Sequence, residues 1–287
     1  MYMLAKNRAE YDREWAVGRQ LAASDTQSLI ERIHAGGSAA LEALDKLSNI
    51  HFARAFVALE QTDLRAFRQE CYTAGKLHIM AAFNDGHGGQ PFKVHSGNYI
   101  YILFAALMSG NPALIGFLQQ NTEHIGQGGF KFSGVDGEPY LAQTILLALK
   151  GDFSAVAQRC ALFLEKPVTK AMQKRLADFQ FLQALAEGNI KAMIGSLTSL
   201  LEPATARRSA QGMLCGWDFC LQPQVLIYLR VAQLHGFVLN IASNIAPRGL
   251  ALAPMPSEYS ESYPWMADYD LGAPFDRQYQ WLEKLSA

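Results

Sequence analysis

Apolar residues recur along this chain at helical spacing. Leu41, Leu44, Leu47 and Ile50 repeat every third position, and Ile190, Met193, Ile194, Leu197 and Leu201 follow the i, i+3, i+4, i+7, i+11 order of one helix face. Runs that alternate apolar and polar residues, which would mark half-buried strands, are nearly absent. The pattern predicts an all-α fold.

Breakers divide the pattern into elements: Gly36-Gly37 before Ser38, Gly110-Asn111 before Pro112, Gly151-Asp152, Gly188-Asn189, and Pro223 opening a helix over Gln224 to Leu234. Glycine supplies a left-handed stop, and a following Asn or Asp can accept hydrogen bonds from the first amides of the next helix. Three breakers share a frame: Ala106-Leu107-Met108-Ser109-Gly110-Asn111, Leu147-Ala148-Leu149-Lys150-Gly151-Asp152 and Ala184-Leu185-Ala186-Glu187-Gly188-Asn189. Their glycines stand 41 and 37 residues apart, within the span of helix-pair repeats, and Ala58-Leu59 ahead of Thr62-Asp63 is a weaker fourth copy. The expected architecture is a stack of antiparallel helical hairpins, either an α-solenoid of the tetratricopeptide kind or an irregular helical bundle.

Two Gly-rich stretches, Asn84 to Asn98 and Gly126 to Pro139, and a Pro-rich one, Asn244 to Phe275, interrupt the helices. Loops this long are more often functional than short connectors, so a site is sought there. The expected layout is one domain over 1–287, divisible into N-terminal helices (1–97), hairpin repeats (98–243) and a Pro-rich segment with a final helix (244–287).

Composition narrows the function. Half of the 287 residues are hydrophobic and 18% charged, enough for a large core and too apolar for extensive disorder. Lys plus Arg number 25 against 26 Asp plus Glu, so no global basic field is present to hold nucleic acid. The longest apolar run, Tyr99 to Met108, is about half of the ~20 residues a membrane-spanning helix needs, and it reads as a buried helix. The first twenty residues carry Lys6, Arg8, Glu10, Asp12, Arg13 and Glu14 and lack the apolar core of a signal peptide. Cys71, Cys160, Cys215 and Cys220 fit neither a zinc knuckle nor a disulfide framework and read as reduced core residues of a cytoplasmic protein.

The search for chemistry assigns no catalytic residue, no cofactor and no metal ligand. The seven histidines show no His-Glu-x-x-His spacing; His87 and His95 are the one pair close in sequence. Gly126-Gln-Gly128-Gly129-Phe-Lys131 lacks the Gly-Lys-Ser/Thr ending of a phosphate loop, and there is no Gly-x-Ser-x-Gly elbow. Cys215-Gly216-Trp217-Asp218 resembles a catalytic cysteine site by composition only. The acidic pairs Asp136/Glu138 and Asp268/Asp270 read as solvated carboxylates in loops.

The most informative stretch is Glu258 to Asp270. It interleaves Glu258, Glu261, Asp268 and Asp270 with Tyr259, Tyr263, Trp265 and Tyr269 and holds no basic residue. Rings give rigid contact area and carboxylates steer and pair with Lys or Arg, a combination that suits a basic protein partner. The same stretch can also brace the last helices through Tyr263, Pro264 and Trp265, and both roles hold together if the rings pack inward while the acids face out.

Phe181-Leu-Gln-Ala-Leu185-Ala-Glu-Gly-Asn189, the helix ending Arg230-Val-Ala-Gln-Leu-His-Gly236 and the Pro-rich segment resemble the immunity protein 49 family of bacterial polymorphic toxin systems, over roughly Ala142 to Pro256. The acidic aromatic stretch and the Gly-rich loops have no counterpart in that pattern. The resemblance implies a cytoplasmic protein that occludes a cognate toxin and catalyses nothing, with no active-site residue to carry over. The toxin's basic groove would then face Asp136, Glu138 and the Glu258–Asp270 stretch. Two other readings are a helical-repeat adaptor that binds a peptide or protein, and an enzyme whose site is assembled from His87, His95 and Asp136.

Overall fold

The computed structural model describes residues 4–83, 99–122, 134–135, 137–166, 169–214 and 216–273. In chain order the helices are α1 (Arg8–Ala22), α2 (Gln27–Ala35), α3 (Gly37–Glu60), α4 (Leu64–Phe83), α5 (Tyr99–Ser109), α6 (Pro112–Gln120), α7 (Glu138–Lys150), α8 (Phe153–Leu164), α9 (Lys170–Gln173), α10 (Leu176–Ala186), α11 (Ile190–Leu201), α12 (Pro203–Ala210), α13 (Pro223–Leu234) and α14 (Arg248–Leu252), followed by a 3-10 turn at Pro264–Asp268. No strand forms among the described residues, and the one β-type pairing is an isolated bridge between Ser243 and Ala246. The fold is all-α.

The recurring frame is a helix-stop, helix-start device. Gly110, Gly151 and Gly188 take φ of 72°, 85° and 66°, the left-handed region in which a Cβ is costly. The next residue then caps the following helix. Asn111 Oδ1 accepts from the amides of Ala113 and Leu114, Asp152 Oδ1 from Ala155, and Asn189 Oδ1 from Ala192.

The weaker copy works the same way with a worse residue. Asp63 Oδ1 accepts from the Ala66 amide, while Thr62 holds φ 60° in the position that glycine fills elsewhere. A β-branched residue is strained there. Replacing Thr62 by Gly is expected to stabilise the protein by about 0.5–1 kcal/mol, the relief being partly offset by the freer unfolded chain. Thermal unfolding checks the sign.

The chain forms two compact units, each built from separate stretches. One takes the described residues of Met1–Glu14, His95–Met108 and Gly129–Pro254. In it α10 packs against α7, α8 and α11, and α13 against α7, α10, α11 and α14. The hairpins α7/α8 and α10/α11 close at the Gly151 and Gly188 turns. Aromatic stacking fills the core: Phe163 on Phe179 with centroids 3.9 Å apart, and Phe181 on Tyr228 at 4.5 Å. Tyr99 to Met108 is buried all along its length, and no helix among the described residues is long and apolar enough to cross a membrane.

This unit also buries a polar network. Asp178 is fully buried, accepts a 2.6 Å hydrogen bond from the Tyr228 hydroxyl, and lies 3.7 Å from Arg175 Nη1, an ion-pair distance too long for a hydrogen bond. Arg175 Nη1 donates to Ser209 O at 2.9 Å, and Gln224 Nε2 donates to the same oxygen at 2.7 Å. Burial pushes the Asp178 carboxyl up to about 6, against the lowering effects of Arg175 and the Tyr228 hydrogen bond.

The other unit takes the described residues of Trp15–Val94, Ser109–Gly128 and Met255–Ala287. Its centre is the long α3/α4 hairpin, with α2 packed on α3 and α6 on α4. Of the predicted face, Leu44, Leu47 and Ile50 are buried there and Leu41 is half-buried; Phe52, Phe56 and Phe67 are buried as well. Cys71, Cys160 and Cys220 are buried free thiols, and Cys215 lies outside the described residues.

Candidate partner-binding surface

Residues 255–273 form the C-terminal part of the second unit and lie along α3 and α4 as a strap. Its first half has no regular structure. Pro256 and Pro264 limit its conformations.

The contacts run residue by residue along one face of α4. Gln69, Tyr72, Thr73 and Lys76 stand at i, i+3, i+4 and i+7, so all four point the same way. Gln69 pairs reciprocally with the strap backbone: its Nε2 donates to Ser260 O at 2.8 Å and its Oε1 accepts from Ser260 N at 3.1 Å. Tyr72 donates to Glu261 Oε1 at 2.7 Å and Lys76 Nζ donates to the same oxygen at 2.5 Å. Thr73 and Ser262 share a hydroxyl–hydroxyl bond of 2.7 Å, and the Tyr72 and Tyr259 rings are 5.0 Å apart. Lys76 is 5% exposed and Glu261 25%, so the pair is screened from water far more than a surface ion pair. Burial first, and then the hydrogen bond to Glu261, hold the Tyr72 phenol well above its usual pKa.

α3 supplies the next anchor. His51 Nδ1 lies 2.6 Å from Glu70 Oε2, and its Nε2 lies 2.9 Å from the Tyr263 hydroxyl. A carboxylate only accepts, so in the neutral ring Nδ1 carries the proton and Tyr263 donates to Nε2. Tyr263 stacks on Trp265 with centroids 5.2 Å apart and planes 6° from parallel, and Trp265 meets His34 edge-on. Tyr259 donates to the carbonyl of Ser109, and Met255 lies against Arg68 and Gly110.

The candidate residues thus separate into two groups. Trp265 and Tyr269 are buried, Tyr259 and Tyr263 are half-buried, and Glu261 is engaged by Lys76 and Tyr72. Tyr259, Glu261, Tyr263 and Trp265 hold the strap down through contacts with α2, α3, α4, the Ser109 carbonyl or the strap itself, and Tyr269 is buried, so these five are not open anchors for a partner. Glu258, Asp268 and Asp270 are exposed. The rings turn in and three carboxylates turn out.

Glu138 also departs from its expected exposed loop. It opens α7, with Pro139 in the first turn, and its half-buried carboxylate accepts from the Ile100 backbone. Burial raises its pKa, opposed by Arg175, the Ile100 amide and Lys174. Arg175 is buried and Lys174 exposed, so Glu138 is a half-buried residue at a helix start and not the exposed loop acid expected. Asp136, His87 and His95 lie outside the described residues.

The polar row on α3 and α4 was not among the expected site residues. The signal was present in the spacing of Gln69, Tyr72, Thr73 and Lys76, a pattern that otherwise reads as a solvated face. Among the described residues, no group of three or more His, Cys, Asp or Glu is placed to hold a metal. Comparison of the chain with family models, curated proteins and solved structures gives no match.

Proposed function

We propose that this protein acts by binding and occluding a toxin protein and performs no reaction itself, as the resemblance to the immunity protein 49 family implies. The observation that supports this reading is the division of the strap: rings and Glu261 fix it to the α3/α4 hairpin, while Glu258, Asp268 and Asp270 stay in water on a stretch without any basic residue. Carboxylates presented from an anchored backbone attract a positively charged groove and lose little side-chain and backbone freedom on contact. An enzyme whose substrate is a polyanion, such as a nuclease, carries such a groove.

The test is co-expression with the product of the adjacent gene, which on this reading is a toxin-domain protein. Wild-type chain restores growth of the host; Glu258→Gln/Asp268→Asn/Asp270→Asn restores it less well at equal abundance. Failure of the wild-type chain to protect would defeat the reading.

A helical adaptor is the second reading, favoured by exposed apolar side chains of the first unit, Leu162 (55% exposed), Ile190 (49%), Leu234 (41%) and Val238 (68%). An adaptor would recover several unrelated partners by affinity capture, whereas an immunity protein would return one.

A further inference from the structure

The α4 row treats the strap as a peptide ligand. We propose that the α3/α4 face is a peptide-recognition groove, holding residues 259–263 in cis as a detachable occupant, and that it takes an extended partner segment of the same chemistry: a carboxylate flanked by hydroxyl residues, with a tyrosine two positions beyond. This goes beyond the toxin-binding reading, which concerns the outward carboxylates and not the face beneath them.

Three observations carry it. First, the contacts are one-to-one and directional. Gln69 reads backbone by bonding both the N–H and the C=O of Ser260, Tyr72 and Lys76 converge on one oxygen of Glu261, Thr73 meets Ser262, and His51 meets Tyr263. A side-chain amide that replaces a neighbouring strand's ladder, together with pockets for successive side chains, is how extended peptides are recognised.

Second, the face suits a polar ligand better than core packing. Lys76 and His51 are almost fully buried beneath the strap, and each finds an oxygen of the strap: Lys76 on Glu261, His51 on Tyr263. Buried cationic and polar groups of this kind require partners, so the groove without its occupant favours another segment that supplies the same acceptors.

Third, the strap leaves part of the groove open. A cleft of about 420 Å³ lies between the first turns of α4 and the strap, lined by Asp63, Arg65, Gln69, Glu258, Tyr259 and Ser260. An incoming segment can engage Gln69 from that side before the strap has fully left. The first half of the strap is held by side-chain bonds without a helix or sheet of its own, which places it among the parts of a fold that open locally.

The test uses the full chain and a fluorescent synthetic peptide spanning residues 257–270. In Glu261→Ala/Tyr263→Phe the cis occupant loses its grip while the groove is intact. This variant is expected to bind the peptide saturably and at least about tenfold more tightly than wild type, in which the tethered strap competes at high effective concentration. Adding Gln69→Ala and Lys76→Met is expected to remove that binding, as is changing the peptide's Glu261 to Gln and its Tyr263 to Ala. A folded weakened-strap chain that does not bind, or one that binds a scrambled peptide equally, overturns the proposal. Should the weakened chain fail to fold, hydrogen exchange of the wild type decides. The Ser260 and Met266 amides are expected to exchange at least about tenfold faster than those at the centre of α4. Exchange in step with α4 overturns the proposal as well.

Discussion

Asp178→Ala is expected to lower the stability of the protein by about 3–5 kcal/mol, the range for removing one partner of a buried ion pair. The change leaves Arg175, itself 2% exposed, without the carboxylate beside it, and leaves the buried Tyr228 hydroxyl without its acceptor. Asp178→Asn retains an acceptor for Tyr228 and is expected to cost less. The two variants separate loss of a hydrogen bond from loss of a charge, and denaturant unfolding of both measures the difference.

The same residue dictates a pH dependence. Burial raises the Asp178 carboxyl from an ordinary value near 3.8 to about 6, so the folded protein holds this proton more tightly than the unfolded chain. The stabilisation linked to the proton is complete below the unfolded pKa and is lost as pH rises through about 6. Over that window the wild type is expected to lose about 3 kcal/mol relative to Asp178→Asn, which has no proton to release at this site. A difference between the two chains that stays flat from pH 4 to 6.5 would contradict the assignment. A carboxyl of this kind beside a tyrosine and an arginine has the composition of a catalytic cluster. Its complete burial, with Tyr228 also wholly buried, assigns it instead to holding α10 and α13 together.

Much of the helical framework is legible because its signals are local. Gly188-Asn189 needs no distant residue to stop one helix and start the next, whereas the face read from Ile190, Met193, Ile194, Leu197 and Leu201 is only partly the buried one: Met193 and Leu197 are buried with Ser196 and Leu200, while Ile190 is exposed and Ile194 and Leu201 are half-buried. Pro223 opens α13 because a helix's first turn has no use for the missing N–H. The inward brace made by Tyr263 and Trp265 was legible as one of two roles for the Glu258–Asp270 stretch, since large rings are seldom left in water.

What sequence order hides is pairing across distance. Lys76 and Glu261 are 185 residues apart, and His51 and Tyr263 are 212 apart, so neither end announces its partner. Gln69, Tyr72, Thr73 and Lys76 have the spacing of a solvated face, and only the strap lying over them turns that face into an interior one. Glu138 fails as an outward acid for the same reason. The buried Arg175 and the Ile100 amide, which draw its carboxylate inward, sit on other parts of the chain. In α10, Asp178 is the one charged residue of Leu176–Ala186, and it is buried on the face opposite the exposed Gln180.

The outward carboxylates carry the functional proposal, and their expected effect is kinetic. Oppositely charged surfaces raise encounter rates by about tenfold to a thousandfold at low salt, and the gain fades as the Debye length shrinks. Glu258, Asp268 and Asp270 are exposed and share a stretch with no basic residue to cancel them. Neutralising the three is therefore expected to slow association with the toxin about tenfold or more in dilute buffer, with little change in the dissociation rate, since exposed rim charges act mainly on encounter.

The most direct measurement is stopped-flow association of the wild-type chain and Glu258→Gln/Asp268→Asn/Asp270→Asn with the proposed toxin partner, from low to near-molar salt. A fast, steeply salt-dependent rate is expected for the wild type, a slower and flatter one for the neutral variant, and convergence of the two at high salt. Equal rates and equal salt dependence for the two chains would contradict that expectation.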